Sequence, residues 1–447
     1  MRRIAAAFAL MTALALVACG GGGDSKSSTQ SAAGSSTTSH EPVTITLWNG
    51  FTERELGVIK QAVADFHGSH PWITVKVVGG VNDDKIIAAI RGGNAPDVAQ
   101  SFTADNTGLF CSSGGWIDLK PYMDKSKIDA GMFPQAVQTY TEYQGKRCAL
   151  PMLADTYGLY YNKDLFAKAG ITSPPKTMSE LTADAKKLTV RDGDSFKVVG
   201  FDPAQGFYEN APAHYGPLFG AAWVDGDNKS VLSKQPGWAE FMNWQKGLID
   251  FYGFDKLRRW QAGAGDEFSA SNAFERGKLA MAIDGEYRTA FIKAEHPKLN
   301  YGTAPMPAAD SHPELYGAGY VTGNIIGIPK GAKNKGAAWE LVKYLAYDDH
   351  ALATLSNGLR NVPTTNDSLK SSELKPDPHF APFLEIFSNA HSATNPITAA
   401  GAAYQEAAEE FTAKYQAGKV DDLHDGLAEL DKHIDDQLAQ ITSGQAP

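Results

Sequence analysis

One acid stands in a stretch that otherwise reads as a buried strand. Pro151–Phe166, PMLADTYGLYYNKDLF, is apolar and aromatic except for Asp155 near its start and the polar residues of its far end. A carboxylate in such company is costly unless something pairs with it. Two chemistries are open to it. It can accept hydrogen bonds from a polar ligand. Alternatively it can work with a second carboxylate, for which Glu53 is the candidate, as the acid/base pair of a glycoside hydrolase, at a separation of about 5–9 Å. No motif marks such a pair. The other reactive residues narrow the field. Cys111 and Cys148 alone make a poor metal site, with no CxxC or HExxH beside them. The turn Asp225–Asn228, DGDN, lacks the calcium-loop pattern with its closing Glu and reads as a hairpin turn. His67 and His70 sit near a helix end beside Pro71. There is no GxGxxG, Walker A or GxSxG. No cofactor and no metal are expected.

The elements that position these residues alternate. Val43–Trp48 is β-branched and reads as a strand. Thr52 and Glu55 have capping-box spacing, and Leu56, Ile59, Val63 and Phe66 recur at helical intervals. Strand 73–78, a helix capped by Asn82, and the strand in APDVAQSF follow. This alternation predicts an α/β fold with a mainly parallel sheet. Further on, Thr177 caps a helix with Glu180 three residues later. FKVVGF is a strand, and SASNAFERG is expected to be helical up to Gly277. Leu279–Ile283, YGTAPMP and GNIIGIPKG read as strands. NKGAAWELVKYLAYDDHALATLS is helix with a break at Asp348-Asp349. The C-terminal stripe Leu423, Leu427, Leu430, Ile434, Leu438, Ile441 is expected to pack back on the body, giving a monomer.

The ends and the composition speak to location. Residues 1–18 read as a signal peptide: Arg2 and Arg3, then an apolar run too short to span a bilayer. Leu16-Val17-Ala18-Cys19 resembles the bacterial lipobox, so Cys19 is expected to carry lipid. Residues 19–42 are a Gly/Ser/Thr tether with almost nothing to pack. The formal net charge of −10 argues against nucleic acid as a partner. Outside the cytoplasm, Cys111 and Cys148 are expected to be bridged.

Five stretches together resemble the extracellular solute-binding proteins of bacterial ABC sugar importers, the maltose-binding-protein type. They are GGNAPDVAQ (92–100), PMLADTYGLYYNKDLFAKAGI (151–171), PKTMSEL (175–181), AFERGKLAMAIDGEYR (273–288) and GNIIGIPKGAKNKGAAWELVKYL (323–345). The resemblance implies a fold of two α/β lobes with a ligand cleft between them. One lobe would hold 43–151 and 301–345, the other 152–300 and 346–447. It implies a non-enzymatic binding lipoprotein that hands a carbohydrate to ABC permease subunits, attached to the membrane by its N-terminal lipid. A glycerophosphodiester or other anionic polyol is the alternative ligand.

A sugar site needs carboxylates or amides for hydroxyls and aromatic rings for C–H faces. The resemblance puts Asp155 where the first crossing strand enters the cleft, and Tyr287 at the family's stacking position. Glu286 and Arg288 flank Tyr287, and strand alternation lets one or both face the cleft. Tyr157 follows Asp155. Phe51 and Glu53 follow the first strand, where Glu53 either binds ligand or complements the helix dipole. Ser101 and Asp105 follow the third strand. Phe207 or Tyr208 lines the second lobe. Gly319 and Asn324 lie in GAGYVTGN, where backbone can approach a ligand. Arg360 either forks to the ligand or makes a surface salt bridge.

Overall fold

The structure is a computed structural model, and it describes residues 41–443. The leader, Cys19 and nearly all of the tether lie outside the described residues. Among the described residues no helix is long and apolar enough to cross a membrane.

Among the described residues nine strands carry the fold: β1 (Val43–Trp48), β2 (Ile73–Val78), β3 (Val98–Ser101), β4 (Leu150–Asn162), β5 (Val190–Asp192), β6 (Ser195–Phe201), β7 (Leu279–Gly285), β8 (Tyr301–Pro305) and β9 (Val321–Gly327). Their order is β2-β1-β3-β9-β4-β7-β6-β5, with β8 also on β4. The sheet is mixed. β1 runs parallel to β2 and β3, and β6 to β7. β9 and β4 return antiparallel, as do β7 and β8 on β4.

β4 is the strand that joins two cores. Its first part, Leu150–Ala154, packs with Ile45, Leu47, Val98, Ile325 and Ile326. From Tyr157 onward it packs with Val199, Phe201, Met281 and Trp238. The change falls where its partner changes: Thr156 still faces Val321 of β9, while Tyr157 already faces Gly285 of β7. Each core thus belongs to one lobe.

Several stretches sit with the other core from the one expected, two of them large. Tyr301, Met306 and Ala309 pack in the second core, because β8 pairs with the far half of β4. Leu352, Leu355 and Leu359 pack in the first core. Their helix, Asp349–Leu359, lies against helix Glu53–Ser69 so closely that a Cβ on Gly358 would stand 2.6 Å from Val58.

Local chemistry explains most element ends. Asn82 and Thr177 accept hydrogen bonds from the amides of Lys85 and Glu180, and Asp348 caps the second helix at the expected break. The Thr52–Glu55 capping box does not form: Thr52 makes no side-chain cap, and Glu53 itself takes a left-handed φ of 45°. Residues 272–277 form turns in place of the expected helix. The Asn272 side chain accepts from the amides of Phe274 and Glu275, a local alternative to helical pairing. Cys111 and Cys148 are bridged, tying the helix Thr107–Ser112 to the approach to β4. In the C-terminal helix Leu423–Thr442, Leu427, Leu430 and Ile434 are buried against the second core.

Candidate functional site

A cleft of about 590 Å³ opens where β4 passes from one core to the other. Asp155 and Tyr157 of β4 line it together, as residues two apart on a strand share a face. Phe51 to Glu55, after β1, and Phe102, just past β3, form the first-lobe wall. Tyr208, Phe268, Tyr287, Phe291, Ala294 and Glu295 form the second-lobe wall. Asn324 of β9 and Asn361 complete the lining. Loops at the C-terminal ends of β1, β3 and β7 thus converge on it, the usual place for ligands in α/β sheets.

The floor of the cleft is polar and prearranged. Asp155 is 7% exposed, and Glu286, outside the lining, is fully buried. The Asn361 amide nitrogen donates to Asp155 Oδ1 and, at 3.1 Å, to Glu286 Oε1. The Thr156 amide donates to Glu286 Oε2 at 2.8 Å. Burial pushes the Asp155 carboxyl up to about 7. Burial, and then the charge of Asp155, hold Glu286 well above the usual carboxylate range. Beside them, Asn324 Oδ1 accepts from Gln100 Nε2 at 3.0 Å, and Gln100 Oε1 accepts from the Gly50 amide. That leaves the Asn324 amide group oriented, with its own donors free of this contact.

The raised pair gives a pH dependence of stability. Between the unfolded value near 4 and the folded value near 7, the native state holds more protons at Asp155 than the unfolded chain, so stability falls as pH rises. Glu286, raised by its own burial, adds to that loss. In Glu286→Gln one of the two raised acids is gone, so stability should fall less steeply with pH than in the wild type. Parallel slopes in urea titrations from pH 5 to 8 would remove the pair as the cause.

The walls are aromatic. Phe102, Tyr208 and Phe268 are 48%, 48% and 49% exposed, and all three line this cleft. Each half-exposed ring offers a flat apolar face to an occupant. Phe102 stands edge-on to Phe51, with centroids 4.8 Å apart. Tyr157 is stacked on Tyr320 at 5.8 Å and braced by His214 at 4.2 Å. The Tyr287 hydroxyl donates to Glu209 Oε1 at 2.9 Å, which fixes its ring.

The structure brings together Phe51, Glu53, Asp155, Tyr157, Tyr208, Tyr287 and Asn324. It places the other residues singled out from the sequence elsewhere. Ser101 is buried and donates to Asp83 Oδ2 at 2.7 Å. Asp105 is buried behind Tyr320, accepting from its hydroxyl at 3.1 Å. Phe207 packs against the second core and lines a separate small pocket behind the wall. Arg288 is buried in an ion pair with Asp284 at 2.5 Å and another with Glu275 at 3.3 Å. Gly319 packs against Ile386, leaving no approach for a ligand. Arg360 pairs with Asp377 at 3.3 Å and faces Phe380, because its left-handed φ of 66° turns it away at the helix end.

Several lining residues escaped sequence reasoning. Phe102 follows Ser101 by one position, so the strand-end rule reached its neighbour instead. Asn361 follows Arg360, where the charge drew attention. Phe291 lies four residues after Tyr287, on the same side of a helix. Phe268 lies in an irregular loop with no pattern to find it. Arg54, Glu55, Ala294 and Glu295 also line the cleft and carried no signal of their own.

Comparisons with known proteins agree with this fold. The family described as bacterial extracellular solute-binding protein matches residues 52–350. A putative binding protein of Brucella abortus is 31% identical over 270 residues, 57% of this chain and 62% of that protein. The chain thus spans less than two thirds of that relative's length. A maltooligosaccharide ABC transporter solute-binding lipoprotein of Streptococcus pneumoniae is 27% identical over 334 residues, 72% of each chain. Among solved structures, CpMnBP1 with mannobiose bound superposes with a TM-score of 0.78 at 26% identity, covering 88% of this chain and 99% of that one.

Proposed function

The chain belongs to the bacterial extracellular solute-binding proteins, and we propose that it captures a mono- or oligosaccharide in the cleft and delivers it to the permease of an ABC importer. The carrying observation is the pairing of three half-exposed rings with a prearranged polar floor in one interlobe cleft. Rings cover the C–H faces of a sugar, while Asp155, Asn324 and Asn361 supply acceptors and donors for its hydroxyls. Closure of the lobes brings both walls to the ligand and makes the loaded form distinct. The protein would act outside the cytoplasm, held to the membrane through lipid on Cys19.

The charge of the cleft weighs against an anionic polyol. Among the described residues, Glu53, Glu55, Asp155 and Glu295 line it with a single cation, Arg54, which Glu55 already meets at 3.6 Å. The two arginines that an anion would need, Arg288 and Arg360, are engaged elsewhere. For hydrolysis, Asp155 and Glu53 would have to act as a pair, yet Asp155 is already tied to Asn361 and the family is one of binding proteins. A thermal-shift screen over neutral mono- and oligosaccharides, including mannobiose and maltotriose, with sn-glycerol 3-phosphate as the anionic control, tests the reading. A rise in the midpoint with a neutral saccharide, and none with the phosphate, is the expected result. A rise with the phosphate alone would replace it, and turnover of an oligosaccharide would replace it with an enzyme.

A further inference from the structure

One contact spans the rim of the cleft from wall to wall. Arg54 stands on the first-lobe helix Glu53–Ser69, and its guanidinium carbon lies 5.3 Å from the centroid of the Phe291 ring. Phe291 stands on the second-lobe helix Arg288–Glu295. The guanidinium of Arg288, on that same helix, lies 5.2 Å from the same centroid. The ring therefore takes a cation from each lobe.

The two cations are held differently. Arg288 is locked in the second lobe by Asp284 and Glu275. Arg54 is exposed, and its other partners belong to the first lobe: it donates to the Gly358 carbonyl at 2.8 Å and meets Glu55 at 3.6 Å. Those bonds keep Arg54 ordered whether or not Phe291 is near. Moving the lobes as rigid bodies is then enough to make or break the stack, without reordering either side chain.

We propose that Arg54 and Phe291 form a latch across the cleft rim that sets how long a captured ligand stays. The proposal rests on the ligand-capture reading above. A cation over an aromatic face at an exposed site is a modest attraction, corresponding to about a two- to fivefold change in rate. The contact forms as the lobes approach and must break for release, so its effect falls on dissociation.

Stopped-flow dissociation of mannobiose and maltotriose tests this in the wild type, Arg54→Ala, Phe291→Leu, the double variant and Phe291→Tyr. Each of the first two should dissociate about two- to fivefold faster, with the larger part of any affinity loss in that rate and the thermal midpoint unchanged. The double variant should be no faster than the faster single one, and Phe291→Tyr, which keeps the ring, should dissociate more slowly than Phe291→Leu. Equal dissociation of wild type and Arg54→Ala overturns the latch, as do additive effects in the double variant. A shift in midpoint together with slower association would make Arg54 merely structural. Should neither saccharide bind the wild type, the choice of ligand is at fault, and small-angle scattering of the ligand-free proteins decides the latch. A larger radius of gyration in Arg54→Ala supports it, and equal radii overturn it.

Discussion

Arg288→Ala should destabilise the protein by about 3–5 kcal/mol, the cost of stranding buried charge. Arg288 is 1% exposed and is the cation that both Asp284 and Glu275 meet. Burial already pushes the Asp284 carboxyl up to about 6 against the pull of that guanidinium. Without it, both acids must lose their charge or take in water. Lysine supplies one point charge in place of a fork and should recover only part of the loss. A triple change, Arg288→Met with Asp284→Asn and Glu275→Gln, removes the charges together and should recover most of it. Urea unfolding of these variants gives the comparison. A cost below about 1 kcal/mol for Arg288→Ala would mean that the ion pairs are not what holds this helix. The site would suffer too, because the Arg288 guanidinium lies 5.5 Å from the centroid of Phe268 and 5.2 Å from that of Phe291. Arg288 thus acts behind the aromatic wall, where the sequence had suggested a direct contact.

Phe102→Ala combined with Phe268→Ala should weaken saccharide binding by about 2–4 kcal/mol, at roughly 1–2 kcal/mol for each ring. The two rings stand on opposite lobes and are half exposed. Their removal therefore exposes little core, and the thermal midpoint without ligand should move only slightly. Titration calorimetry on the double and single variants measures the loss. Near-equal affinities would take the rings out of the site and leave the polar floor to account for binding.

The sequence made much of this arrangement legible where local rules act alone. The end of β1 pointed to Phe51, the lone acid in an apolar stretch and the family resemblance pointed to Asp155 with Tyr157 beside it, and the glycine-rich GAGYVTGN stretch pointed to Asn324. The caps at Asn82 and Thr177 followed from side chains that reach backbone amides nearby, and the break at Asp348-Asp349 from the pattern of the helix. What stayed hidden depends on contacts far apart in the chain. The partner of Asp155 is Asn361, 206 residues away, and Glu286 joins them only through the fold. Arginines misled for a related reason. Arg288 and Arg360 look like ligand contacts in isolation, but the acids that claim them are set by tertiary packing and by the left-handed turn at Arg360. The lobe boundaries also shifted, because β8 and the helix Asp349–Leu359 choose partners by shape, as the close approach of Gly358 to Val58 illustrates.

The most direct measurement is calorimetric titration of the protein with a panel of neutral oligosaccharides, run in parallel on the Phe102→Ala, Phe268→Ala double variant. Saccharide capture in the interlobe cleft predicts that at least one neutral oligosaccharide binds the wild type, and that its affinity drops at least about thirtyfold in the variant while the ligand-free thermal midpoint holds. Undiminished affinity in the variant would place binding outside the cleft, and binding of sn-glycerol 3-phosphate with no response to any neutral sugar would contradict the carbohydrate reading outright.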